Sequence, residues 1–132
     1  MLHSKYETLR NMIKPTDKEL EILKVIWSNG PSTVRFVNDT LSAEQPIGYT
    51  TTLKFMQIMH EKGLLTREKE GKTHIYSSAI SEEVTQNQLL SKLLTTAFSG
   101  SKSQMVMQLL GNSKSTPEEL EEIRKFLDEM DK

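Results

Sequence analysis

Tyr49-Thr-Thr-Thr-Leu-Lys-Phe-Met-Gln-Ile-Met-His-Glu-Lys-Gly63 runs directly into Leu64-Leu-Thr-Arg-Glu-Lys-Glu-Gly-Lys-Thr-His-Ile-Tyr76. At about 100° per residue, Thr52, Phe55, Met56 and Met59 fall in one narrow arc, with Thr50, Lys54, Gln57 and Glu61 opposite. The pattern predicts a helix from about Tyr49 to Lys62 with a core face and a polar face. Gly63 suits the left-handed position that closes a helix. Two short runs follow, about Leu65–Glu70 and Thr73–Ser78, carrying threonine, isoleucine and tyrosine and turning back at Glu70-Gly71-Lys72. A helix followed by a basic hairpin, with a shorter helical pair upstream, reads as a winged helix-turn-helix. That architecture offers one helix to the major groove and a hairpin arm to the phosphates beside it.

Upstream, Thr16-Asp17-Lys18-Glu19 forms a capping box: Thr16 caps the orphan amides and Glu19 reaches back. The helix it starts carries Leu20, Ile22, Leu23, Val25, Ile26 and Trp27, an arc wide enough to be buried on most sides, and Asn29-Gly30-Pro31 stops it. Ser32 is the expected N-cap of a second helix with Val34, Val37 and Leu41 on one face. Ser42–Gly48 reads as a turn-rich connector. Before all of these, Leu2, Tyr6, Leu9 and Ile13 predict a short amphipathic helix, ended by Lys14-Pro15.

Downstream, Leu90, Leu93, Leu94, Ala97 and Phe98 make a helical stripe that Ser99-Gly100-Ser101 breaks. Met105, Val106, Leu109 and Leu110 predict a shorter helix ended by Gly111-Asn112-Ser113. Thr116-Pro117-Glu118-Glu119 is a second capping box, with proline at the first helical position. The final helix is expected to bury Leu120, Ile123, Leu127 and Met130. The organisation is therefore an N-terminal arm (1–14), a winged-helix domain (15–80) and a helical region (81–132). The fold class is mainly α with a small β-hairpin. Three striped helices in about fifty residues are too few for a robust core alone. Burial against a two-fold mate resolves this, through Leu90, Leu93, Leu94, Phe98, Met105, Leu109, Ile123 and Leu127.

Composition excludes several classes. The 132 residues contain no cysteine, which removes disulfides, thiolate metal sites and cysteine nucleophiles. No apolar run approaches the roughly 20 residues of a membrane helix, and the N-terminus lacks a signal-peptide core, so no membrane insertion and a cytoplasmic location are expected. His3, His60 and His74 are scattered rather than at metal-ligand spacing. Glu82-Glu83 and Glu118–Glu122 fall in first turns of helices, where the macrodipole favours them. There is no glycine-rich phosphate loop, and the seven methionines lie mostly on apolar faces. No catalytic residue, metal ligand or cofactor site is expected, and a hydrolase lacks any nucleophile–base pair.

Net charge is −1, but its distribution is uneven. Residues 1–80 hold eleven Lys and Arg against nine Asp and Glu, and residues 81–132 hold six against nine. Arg67, Lys69 and Lys72 crowd the hairpin, together with Lys62 at its entry. The polar stripe of the third helix carries short hydroxyl and amide groups with a single lysine, where a solubility face would carry Glu/Lys pairs. Thr50, Thr51 and Lys54, with Gln57 secondary, are accordingly candidates to read DNA bases. Leu53 and Ile58 flank this stripe, and two readings stand for them: contact with thymine methyls, or packing under the wing. The rival from another class is a winged helix used only for protein–protein contact. Weak, steeply salt-dependent binding to random duplex DNA would separate the two.

With these elements in place, the chain resembles the penicillinase-repressor family, of the BlaI, MecI and CopY type. The resemblance rests on Thr16–Trp27 with Glu19-Leu20-Glu21-Ile22-Leu23 and Ile26-Trp27, on Gly48-Tyr49-Thr50-Thr51-Thr52, on Lys62-Gly63-Leu64-Leu65-Thr66-Arg67, and on Tyr76. It spans about Thr16 to the C-terminus. It implies a homodimeric transcriptional repressor on a palindromic double-stranded DNA operator, with the start of the third helix making contacts through Thr50, Thr51 and Lys54. Where the family often has arginine, this chain has Ile58. Copper-responsive members carry a C-terminal cysteine motif that is absent here. Members governing β-lactam resistance are cut by a membrane sensor protease near an Asn-Phe bond, and the aligned position is Gln108-Leu109, a departure from that bond.

Overall fold

The protein is described here by a computed structural model covering residues 14–132. The expected amphipathic helix of Leu2, Tyr6, Leu9 and Ile13 lies outside the described residues. The elements in chain order are α1 (Asp17–Asn29), α2 (Val34–Ser42), α3 (Tyr49–Glu61), β1 (Leu65–Glu70), β2 (Thr73–Ser78), α4 (Glu82–Phe98), α5 (Lys102–Asn112) and α6 (Pro117–Met130). They form two compact units, one ending at Gln88 and one over Leu89–Lys132.

In the first unit, α1 begins as its sequence dictates. Thr16 Oγ1 accepts the Glu19 amide at 3.2 Å and Glu19 Oε1 accepts the Thr16 amide at 2.9 Å. Glu19 has a second task that the local pattern does not encode. It is buried, and its Oε2 accepts from Lys62 Nζ at 2.9 Å, so the cap of α1 is tied to the end of α3. The pairing answers the cost of burying a carboxylate. Lys62 therefore anchors the fold and is not part of the basic hairpin.

The core joins Ile22, Leu23, Val25 and Ile26 of α1, Val34 and Val37 of α2, and Met56 and Met59 of α3, closed by Leu64, Leu65 and Tyr76. Trp27 packs at its edge, and its indole N–H is shared between Ser78 Oγ at 2.9 Å and the Ile80 carbonyl at 3.0 Å. That bond holds the base of the hairpin to α1.

One expected cap is corrected. Ser32 does not cap α2; Thr33 does, its Oγ1 accepting the Phe36 amide at 3.1 Å. Ser32 is buried and extended instead. Its N–H donates to the Tyr76 carbonyl at 2.9 Å and its carbonyl accepts the Tyr76 N–H at 2.8 Å. The free edge of β2 takes Ser32 as a one-residue third strand, and adjacent hydroxyl residues leave the cap to Thr33.

α3 ends in a Schellman motif. Gly63, at φ +85°, donates to the His60 carbonyl, and the Leu64 N–H returns to Met59 at 2.9 Å. The chain is thereby aimed into an antiparallel hairpin whose register runs from Leu65↔Ser78 to Glu70↔Thr73. Gly71-Lys72 forms the two-residue turn, with positive φ at Gly71 (+63°) and not at Lys72, the pattern of a type II′ turn.

The second unit differs in kind. From Leu89 onward no side chain is buried. α6 keeps its capping box, with Thr116 Oγ1 and Glu119 exchanging bonds at 3.1 and 3.2 Å. Its apolar stripe is not covered as the sequence led us to expect: Leu120 and Ile123 are half-buried, whereas Leu127 and Met130 are exposed. α5 also runs one step beyond the expected break. Gly111 and Asn112 are its last helical residues, and Ser113 follows as the C-cap.

Candidate nucleic-acid interface

α3 presents its polar side outward. Thr52, Met56 and Met59 are wholly buried, while Thr50, Thr51, Lys54 and Gln57 are all exposed. Thr50, Thr51 and Lys54 border one shallow depression of about 320 Å³ with Phe55 and Ile58. Gln57 lies outside it. A larger depression of about 720 Å³ separates α1 from the α2–α3 connector. Cations and acids alternate around it (Lys18, Glu21, Lys24, Glu44), which favours neither sign of ligand.

Burying the other side of α3 required two polar groups to satisfy each other. Asn38 of α2 is buried and its amide donates to Thr52 Oγ1 and to the Ile47 carbonyl, both at 2.9 Å. Ser42 Oγ also bonds the Ile47 backbone, as donor at 3.2 Å and acceptor at 3.4 Å. These contacts tie α2 to the connector and to α3, and they spare Asn38 the cost of about 1–3 kcal/mol that a buried amide without partners carries.

The hairpin carries its charges on separate faces. Alternation puts Leu65, Arg67 and Lys69 on one face of β1, opposite Ser78, Tyr76 and His74, and puts Glu68 and Glu70 on the other. Lys72 occupies the turn and is exposed, as are Arg67 and Lys69. Arg67 is steered by a contact its neighbours do not reveal, Nη1 donating to the Tyr76 hydroxyl at 3.3 Å.

A further cation stands beside α3. The Arg35 guanidinium of α2 lies 4.5 Å above the ring of Tyr49, the first residue of α3. Both residues are exposed. The stack fixes a flexible positive charge beside the start of α3. An Arg and a Tyr fourteen residues apart give no periodic signal. Tyr49 itself stood in the Gly48–Thr52 stretch.

The residues expected at a dimer contact all lie on α4, α5 and α6. Leu90, Leu93, Leu109 and Leu127 are exposed, and Leu94, Phe98, Met105 and Ile123 are half-buried. Among the described residues, no helix is long and apolar enough to cross a membrane.

Three helices, the third capped into a two-stranded antiparallel hairpin and bearing an exposed hydroxyl-rich face, define a winged helix-turn-helix regulator. The model of the penicillinase repressor family matches residues 15–129, and the chain belongs to that family. It is a DNA-binding transcriptional repressor and not an enzyme. It is 29% identical over 118 residues to the penicillinase repressor of Bacillus licheniformis, covering 86% of this chain and 89% of that one. It is also 32% identical over 62 residues to the transcriptional regulator BlaI of Mycobacterium tuberculosis, covering 46% of this chain and 45% of that one. Among solved structures, a MarR family protein from Bacillus stearothermophilus aligns with 99% of this chain and 86% of its own at 16% identity, with a TM-score of 0.48. That likeness is too loose to bear on function.

Proposed function

We propose that the protein represses transcription in the cytoplasm as a homodimer on a palindromic operator, with residues 15–80 binding DNA and residues 81–132 joining the subunits. The observation that carries the DNA half is the exposed Thr50, Thr51 and Lys54 face of α3, back to back with buried Thr52, Met56 and Met59. In this reading Thr50, Thr51 and Lys54 address base edges from the major groove, with Gln57 beside them. Arg67, Lys69 and Lys72 hold phosphates, as does Arg35 from its stack on Tyr49.

Duplexes selected from a random pool by the purified protein supply the operator and separate the two roles. Lys54→Ala should weaken binding to the selected duplex by about 1–3 kcal/mol and relax preference at one position. Lys72→Ala should weaken binding to all duplexes about equally and lower the magnitude of the salt slope by about one. The roles are misassigned if Lys54→Ala binds normally, or if Lys72→Ala loses one base preference selectively.

The dimer half rests on the apolar surface left open from α4 to α6. Leu90, Leu109, Phe126 and Leu127 are each more than half exposed in a single chain. Large apolar side chains left open in such number support an interaction site. Release from DNA is read as cleavage between about Ser99 and Ser115, by a sensor protease. The breaks flanking α5 support this: Ser99 and Gly100 both have positive φ, and α5 buries no side chain. Intact mass followed in cells during induction is the check. Full derepression with every copy uncut would favour a ligand or a protein antagonist.

A further inference from the structure

We propose that Ile58 reads DNA as well, receiving the C5-methyl group of a thymine in each operator half-site. The proposal rests on the reading that α3 enters the major groove, and it adds an apolar element to the polar face of that helix.

Leu53 and Ile58 look equivalent in sequence, one on each flank of the polar stripe. The fold separates them. Leu53 packs against the core, whereas Ile58 stays outside it, 37% exposed. At about 100° per residue, Lys54, Ile58 and Thr51 follow Thr50 around the helix by about 40°, 80° and 100°. Ile58 thus lies inside the arc bounded by the two threonines rather than at its margin. These residues and Phe55 line the same shallow depression, which places the isoleucine among the groups assigned to base reading.

A lone exposed isoleucine would need no explanation. This one is surrounded by groups that would bring DNA to it. Lys54 is drawn to phosphate or to a guanine edge, and the threonine hydroxyls can meet donors or acceptors. Ile58 and Phe55 line the same recess with apolar side chains. Of the groups displayed in the major groove, the thymine methyl is the apolar one. Its burial there removes two apolar surfaces from water without stranding a hydrogen-bonding group.

Replacing thymine by deoxyuridine deletes that methyl and nothing else. Duplexes selected by the full-length protein would be substituted thymine by thymine, symmetrically in both half-sites. One symmetric position should lose about fourfold in affinity per half-site. Ile58→Ala should weaken the unsubstituted duplex by a similar factor and no longer distinguish thymine from uracil at that position. Being exposed, the residue can be shortened without opening a cavity in the core. Retention of full uracil sensitivity by Ile58→Ala would overturn the assignment, and so would a wild-type protein indifferent at every thymine. If Lys54→Ala weakens the selected duplex while every uracil is silent, the groove reading stands and Ile58 falls. If no duplex is selected at all, both fall.

Discussion

A chain ending at Gln88 is expected to bind its operator about 10²–10⁴-fold more weakly than the full chain. In free energy that is about 2.7–5.5 kcal/mol, lost without touching the DNA-binding face. The core of the first unit, from Ile22 to Tyr76, lies wholly before this end point, so the shortened protein should stay folded. The end point matters. Ending at Ser81 would strip away Thr85, which is buried and donates its hydroxyl to the Ser81 carbonyl at 2.7 Å. In the dimer proposed above, the shortened chain loses the apolar stripes of α4, α5 and α6 and with them the mate that links a second half-site. Sedimentation should report a monomer, and titration against whole and half operators should give nearly the same affinity. If the shortened chain still sediments as a dimer, the subunits meet elsewhere. If it is monomeric yet binds the whole operator unchanged, avidity does not contribute.

Tyr76→Ala should destabilise the protein by about 3–5 kcal/mol, a large share of the 5–15 kcal/mol typical of a domain. Tyr76 is 1% exposed and joins three parts of the fold. Its ring fills the core beside Leu64 and Leu65, its backbone pairs with Ser32, and its hydroxyl accepts from Arg67. Tyr76→Phe keeps the ring and the backbone bridge and removes only the 3.3 Å bond, so it should cost about 0.5–1.5 kcal/mol. Chemical denaturation of the two variants compares them directly. Equal losses would mean that the hydroxyl, not the buried ring, anchors the hairpin.

Features that close within a few residues along the chain are encoded locally. The capping boxes at Thr16 and Thr116, the Schellman end at Gly63 and the hairpin turn at Gly71 each close through bonds between near neighbours. Residue type and spacing therefore suffice to specify them. The helical wheel of α3 likewise separated its buried face from its exposed one, because burial there follows a period of about 3.6 residues. Pairings between residues far apart along the chain emerge only when it folds. Glu19 meets Lys62 across 43 residues, Trp27 meets Ser78 across 51, and Arg35 meets Tyr49 from another helix. Such pairs leave no periodic trace, since each half looks like an ordinary surface or capping residue until the chain folds. Ser32 and Thr33 show the same limit at close range. Either can cap a helix, and only the open edge of β2 at Tyr76 selects which hydroxyl remains for that task. Leu53 and Ile58 flank one stripe alike, yet the core takes one and leaves the other to solvent. For α4 to α6 the stripes could be read, but not what covers them. Periodicity records that a face is apolar, and not which surface it meets.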